Sequence, residues 1–202
     1  MSIKYISIER EYGSGGREIA ELTAQKCALK CYGREILEMV AREYDMPISS
    51  LEAYEESPTD SFLYSLFVMS RSKESDLDLL SDEGKLFLAE SEMIKRIANE
   101  GPAIFVGRCA CHVLENNDEV LRVFIRASDE YKKDRILKQY GVINKNIASL
   151  CKKINKRRAD YYEFFTNNKW RDLNNYDIVL DSSRLGTQAC ADALSTIFLN
   201  NR

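Results

Sequence analysis

Glu11-Tyr-Gly-Ser-Gly-Gly-Arg-Glu18 stands where a β-rich opening, Ile3-Lys-Tyr-Ile-Ser-Ile8, gives way to a helical pattern beginning at Arg17. Ala20, Ala24, Cys27, Ala28 and Cys31 fall on one helical stripe, and their small size lets such a helix lie close to a sheet. Strand, glycine turn and helix in that order open an α/β chain. Gly13, Gly15 and Gly16 allow close backbone approach, so consecutive amide hydrogens can turn inward at a helix N-terminus that already carries partial positive charge. Two readings follow: a phosphate cradle, to which Arg17 adds forked cationic donors, or a plain helix-start turn. The nucleotide-binding pattern G-x-x-x-x-G-K-[ST], with its second glycine on Gly16, meets Glu11, Arg17 and Glu18 at its other fixed positions and fails there. The dinucleotide pattern G-x-G-x-x-G also fails, because residue 18 is Glu. A bend closed off by side chains, or one whose amides are bonded to the chain's own carbonyls, would count against the cradle.

Outward from that turn, Ala103-Ile-Phe-Val106, Val120-Leu-Arg-Val-Phe-Ile125 and Ile178-Val-Leu180 read as strands, most of them covered on both faces. Helical patterns lie between them, at Leu86 to Ile97, at Tyr131 to Gln139 and around Ala189, Ala193 and Ile197. The alternation predicts an α/β fold: a parallel β-sheet core flanked by helices, with ligands at the carboxyl ends of the strands. Arg34 to Gly84 reads as helices and loops only. Within it, Ser61 to Met69 is either a packed helix or a partner surface. Lys132 to Arg158 holds ten Lys or Arg against one acid, Asp134, and is either a solvated basic face or an anion clamp.

The chain of 202 residues carries 29 basic and 32 acidic side chains, a formal charge of −3. No bulk attraction to polymeric nucleic acid or to a membrane follows, so anion binding has to be local. With 45% apolar residues and only 3 prolines, the composition is that of one globular domain. No run of about 18 apolar residues and no export signal stands in the sequence, and the expectation is a cytoplasmic protein. Cys109-Ala-Cys-His112 lacks a fourth metal ligand nearby, which favours packed thiols over zinc. Asp181 reads as a helix cap in preference to a metal ligand.

Ile8-Glu-Arg-Glu-Tyr-Gly-Ser-Gly-Gly-Arg-Glu-Ile-Ala20, Tyr32-Gly-Arg-Glu-Ile-Leu37, Val106-Gly-Arg-Cys109, Arg158-Ala-Asp-Tyr-Tyr162, Thr166, Trp170, Asn175-Tyr-Asp177 and Leu180-Asp-Ser-Ser183 together resemble the cytidylate kinase-like family, in order over nearly the whole chain. The resemblance implies a P-loop kinase-like single domain, residues 1–202. Its core would be 1–33, 101–131 and 173–202, with a helical monophosphate-binding insertion at about 34–100 and a basic lid at about 132–172. It implies transfer of the ATP γ-phosphoryl group, with Mg²⁺, to a nucleoside monophosphate, CMP or dCMP before others. Gly13, Ser14, Gly15, Gly16, Arg17 and Glu18 would hold the donor, with Glu18 a candidate magnesium ligand. Arg34, Arg108 and Asn155 would bind the acceptor, and Arg17, Lys156, Arg157 and Arg158 would carry the catalytic charge. Tyr161, Tyr162, Phe164, Phe165 and Trp170 would seat the lid's return on the core, or stack a base. The chain departs from the pattern where Arg17 and Glu18 replace a lysine and a hydroxyl, where Gly33 and Cys109 stand for aspartates, and where Asn155 replaces an aspartate that reads cytosine. The base is thereby left open. The alternatives are a nucleotide-binding regulatory protein of little turnover, or a kinase for another small phosphorylated or nucleoside substrate. Nucleotides are the expected partners, and a homodimer through Phe62 to Met69 stays open.

Overall fold

The computed structural model describes residues 2–45, 82–140 and 146–202. Most of the expected insertion, with the Ser61 to Met69 segment, lies outside the described residues. Five strands form one all-parallel sheet in the order β2-β3-β1-β4-β5: β1 Tyr5–Arg10, β2 Lys30–Tyr32, β3 Ala103–Val106, β4 Val120–Arg126 and β5 Ile178–Asp181. Tyr5 is in register with Ala103 on one side and Val120 on the other. The chain leaves β1 toward β2 and later crosses from β3 to β4. The carboxyl end of β1 is therefore the switch point at which a parallel sheet opens a crevice.

The pleat sends alternate residues of β1 to opposite faces. Ile6 and Ile8 enter a core with α1 (Gly16–Cys27) and α7 (Ser182–Asn200), where Ala20, Ala24 and Cys27 share a cluster with Cys190, Ala191 and Leu194. Tyr5 enters the opposite core, against α2 (Arg34–Glu43) and α3 (Asp82–Glu100), with Phe105, Leu37 and Ile94. After β3 comes the short α4 (Ala110–Val113), and α5 (Asp129–Tyr140) follows β4. The basic segment is carried by α5 and by α6 (Ile147–Thr166). Among the described residues no helix is long and apolar enough to cross a membrane.

Two local expectations need correction. α1 stops at Cys27, because Ala28 caps it in the left-handed region at φ 54°. Cys31 is consequently not on that helix; it lies in β2, an edge strand the sequence reading missed. β1 is also displaced toward the glycine turn, running to Arg10 instead of ending at Ile8.

The aromatic residues after the basic segment do seat it. Phe87, Phe124, Tyr162, Phe165, Trp170 and Tyr176 form one cluster, which also buries Cys109 and Cys111. Trp170 is fully buried and edge-on to Phe124, their ring centroids 5.2 Å apart. Burial pushes the Cys111 thiol up to about 12 and the Cys109 thiol well up, so both are protonated packing groups near neutral pH. Asp181 accepts from the Ser183 amide at 3.1 Å and caps α7.

Candidate functional site

The loop after β1 is held from inside. The Glu11 amide extends the ladder to the Ile125 carbonyl at 2.9 Å, and the Glu11 carbonyl accepts from both the amide and the hydroxyl of Ser14. Gly15, at φ 78°, is the N-cap of α1 and offers no side chain to cap it. The first intrahelical bond runs from Ile19 to Gly15, so the amides of Gly16 and Arg17 precede the ladder. Helix N-termini of this kind favour anions.

The conditions set against an open cradle are nevertheless met in part. The Ser14 amide is spent on Glu11, and the Tyr12 amide donates to Asn155 Oδ1 at 2.7 Å. Side chains cover the glycines. A methyl on Gly13 would lie 3.0 Å from Ile136 Cδ1, one on Gly15 would lie 3.1 Å from Arg135 Cζ, and one on Gly16 would lie 2.5 Å from Arg10 Cβ. What faces the loop is a shut helix start beneath α5, whose inner surface presents a guanidinium. The Arg135 side chain is 9% exposed, pairs with Glu18, and leaves its buried Nε hydrogen without a partner among the described residues, beside Gly15. An unspent buried N–H next to a helix N-terminus is a prepared anion donor.

Arg17 points elsewhere. It bonds Glu21 at 2.7 Å and Glu35 at 2.6 Å, half exposed, with its guanidinium beside Gly33, and these carboxylates raise its pKa further. Glu18 is engaged at both oxygens, accepting from Thr187 at 2.8 Å on one and pairing with Arg135 on the other. A cation against a carboxylate with no spare oxygen does not fit a magnesium ligand, and among the described residues no group of three His, Cys, Asp or Glu could hold a metal. Magnesium would come as part of the donor nucleotide, and no step is routed through Glu18.

At the carboxyl ends of β1 and β3 lies a cavity of about 350 Å³ lined by Arg10, Arg108, Arg157 and Arg158 together with Glu9, Tyr12, Cys109 and Tyr161. Four guanidinium groups line this small space, with the buried Glu9 carboxyl beside them. The backbone is bent to build it. Gly107, Arg108 and Cys109 follow one another at φ 76°, 60° and 51°, and non-glycine residues held so carry strain of about 1–3 kcal/mol each. Arg10 packs directly over Gly107. Arg108 Nη1 bonds the fully buried Glu90 at 2.8 Å. Burial pushes the Glu90 carboxyl up to about 8 and the Arg108 guanidinium down to about 10. At the floor, burial also raises Glu9, whose Oε2 accepts from Trp170 Nε1 at 3.0 Å.

The predicted residues thus divide. Arg108, Arg157 and Arg158 meet in this cleft, and Arg158 also donates to the Arg10 carbonyl at 2.9 Å. Arg34 is 58% exposed at the start of α2, bonded to Glu38, near enough to Arg108 to help lower its pKa but not in the lining. Asn155 is buried, its Oδ1 accepts from the Tyr12 amide, and it lines the cavity on the other side of α6, not the arginine cleft. Lys156 is 76% exposed, pairs with Asp160, and lies on the opposite side of α6. That side holds a larger cavity, about 680 Å³, whose cations are mostly matched: Lys132 with Glu11 and Asp129, Arg171 with Glu11, Lys169 with Glu163. The sequence does not single out Arg10, Arg135 or Glu90, and it suggests Tyr161 only as a lid seat or a base-stacking residue. Arg10 stood inside a quoted motif and Arg135 inside the basic segment, whereas Glu90 gave no local signal.

The comparisons agree with this architecture. A family model described as the cytidylate kinase-like family matches residues 5–184. Comparison with curated proteins gives no significant match. Among solved structures, an uncharacterised protein from Eubacterium ventriosum ATCC 27560 superposes with TM-score 0.72 at 24% identity, covering 98% of this chain and 99% of its own. Shikimate kinase from Bacteroides thetaiotaomicron gives TM-score 0.57 at 10% identity, over 98% and 99%. A gluconokinase from Sinorhizobium meliloti 1021 gives 0.52 at 14%, over 97% and 94%. The fold is that of the P-loop kinases.

Proposed function

The chain belongs to the cytidylate kinase-like family, and from that premise we propose that it moves the γ-phosphoryl group of ATP to a nucleoside monophosphate, CMP or dCMP. Family and fold support phosphoryl transfer to a small substrate. Shikimate and gluconate kinases show that the fold serves unlike acceptors, so the acceptor class is argued from the site. The observation that carries it is the four-arginine cleft at the switch point, beside the glycine loop. Guanidinium forks match the oxygens of a phosphate group, which supports an acceptor that carries one.

In this reading the amides of Gly16 and Arg17 and the Arg135 guanidinium take the donor phosphates, while Arg10, Arg108, Arg157 and Arg158 fix the acceptor. An acceptor phosphate oxygen attacks the γ-phosphorus as the bond to the β–γ bridging oxygen breaks, and ADP leaves with that electron pair. The attacking oxygen is already anionic, so no general base is needed, and catalysis rests on alignment and charge. The Arg17 side chain takes part only if it leaves Glu21 and Glu35, and Lys156 only if α6 turns. Admission of ATP requires α5 to lift from Gly13 and Gly15, and its return would exclude water from the loop.

The covered loop favours a second reading, a nucleotide-responsive protein without turnover. Release of ADP, measured with ATP, Mg²⁺ and CMP, dCMP, UMP, AMP or shikimate, separates the two. Strong stimulation by one monophosphate supports the kinase. A melting temperature raised by ATP, with no ADP released for any acceptor, supports the sensor.

A further inference from the structure

The transfer just described makes no use of Glu90, although this carboxylate is the meeting point of three distant segments. It lies on α3, is fully buried, and is bonded by Arg108 at the end of β3 and by the Tyr161 hydroxyl of α6, at 2.8 and 3.1 Å. Each partner takes a different oxygen, so the carboxylate is fixed in rotation as well as position. The Tyr161 ring is held in turn, edge-on to Phe165 at 4.7 Å and to Phe87 at 6.4 Å, and Phe87 stands on the same helix as Glu90.

A long guanidinium side chain grips phosphate reproducibly only if its fork is prevented from rotating. Arg108 is so prevented on one nitrogen, while it remains 13% exposed where it lines the cleft. Removing one member of a buried, hydrogen-bonded pair is strongly disfavoured, so Arg108 is held less firmly without Glu90. If α6 lifts away, Tyr161 leaves with it and the carboxylate loses one of its two donors. We infer that Glu90 is the positioning residue for the acceptor arginine, and that Tyr161 makes the positioning depend on α6 being seated. This rests on the acceptor reading above and deepens it: the grip on the acceptor is set by the helix that closes over it.

Steady-state kinetics with acceptor and donor varied separately test it, on the full chain and on Glu90→Ala, Glu90→Gln and Tyr161→Phe. Glu90→Ala raises the acceptor KM about tenfold, the scale of one lost charge-assisted bond. Glu90→Gln, whose amide oxygen still accepts from Nη1, recovers most of that loss. Tyr161→Phe keeps the ring packing and raises the acceptor KM about threefold, a fraction of one hydrogen bond. The ATP KM stays within about twofold throughout, on the same scale. Should the alanine variant fail to fold, Tyr161→Phe carries the test. An unchanged acceptor KM in folded Tyr161→Phe overturns the inference, as does a parallel rise in both Michaelis constants. If the unaltered chain transfers phosphate to no monophosphate, the proposed reaction falls, and calorimetric binding of CMP to the same proteins decides for Glu90. Weakening in the same order supports it, and equal binding, or none to the unaltered chain, overturns it.

Discussion

Replacing Gly107 by alanine tests whether Arg10 belongs to the acceptor site. The new methyl would stand 2.0 Å from Arg10 Nη1 and 3.1 Å from Cζ, a separation no side chain tolerates, so the guanidinium must leave. Because the obstacle is the far end of a flexible side chain, folding suffers chiefly through the backbone. At φ 76°, an alanine costs about 1–2 kcal/mol, which lowers the melting temperature by about 2–8 °C in a chain of this length. Gly186 supplies a control for positive φ without the clash, at φ 79° and ψ 158° with nothing within 4 Å of its would-be methyl. Gly186→Ala should lower the melting temperature without disturbing Arg10. Loss of one charge-assisted contact to the acceptor phosphate, about 1.5–3 kcal/mol, corresponds to a rise of about 10- to 150-fold in acceptor KM. Calorimetric melting and initial rates at varied CMP measure both effects. If both variants fold and share the acceptor KM of the unaltered chain, Arg10 has no part in acceptor binding.

Other expectations bear on the donor loop and on stability. Arg135→Ala should raise the ATP KM about tenfold with the acceptor KM unchanged, whereas Arg17→Ala, which breaks exposed ion pairs, should move either constant by less than about twofold; the reverse order in initial-rate measurements would return the donor role to Arg17. Asn155→Ala leaves the Tyr12 amide unsatisfied and should cost about 1–3 kcal/mol in denaturant unfolding without altering the preference for CMP over UMP; a changed preference would put Asn155 back at the base. Burial raises the Glu9 and Glu90 carboxyls above their unfolded values, so the folded state binds these protons more tightly. Their contribution is complete below the unfolded value of 4.5 and is lost as pH rises toward the folded one, about 8 for Glu90. Unfolding free energy should therefore fall between those limits, with a shallower fall in Glu90→Gln; a rise over that window would refute the sign.

Much of the fold was legible because buried parallel strands announce themselves as apolar runs. Ala103–Val106 and Val120–Ile125 were read directly, and the small face of α1 follows from Ala and Cys spacing, whereas α7 buries Cys190, Ala191, Leu194 and Phe198 and leaves Ala189 exposed. β2 was not legible. It has three residues at a sheet edge, and Cys31 happened to continue the helical stripe past a cap made by alanine instead of glycine or asparagine. In the cleft, Arg108, Arg157 and Arg158 were found through the ordered motifs. Glu90 was not, since its partners lie 18 and 71 residues away and no short pattern links them. Asn155 was suggested for a base contact by its motif position, and no sequence signal announced the hydrogen bond that ties its Oδ1 to the loop across 143 residues. Arg135 emerged only when α5 was seen to lie on Gly15, a contact between elements that sequence order does not announce.

The most direct measurement follows the phosphorus itself. With γ-labelled ATP, Mg²⁺ and CMP or dCMP, the label is expected in the corresponding diphosphate, at a rate that falls when Arg108 is replaced by alanine. Label that stays in ATP, or passes only to inorganic phosphate or to an acceptor without phosphate such as shikimate, would contradict an arginine cleft built for a nucleoside monophosphate.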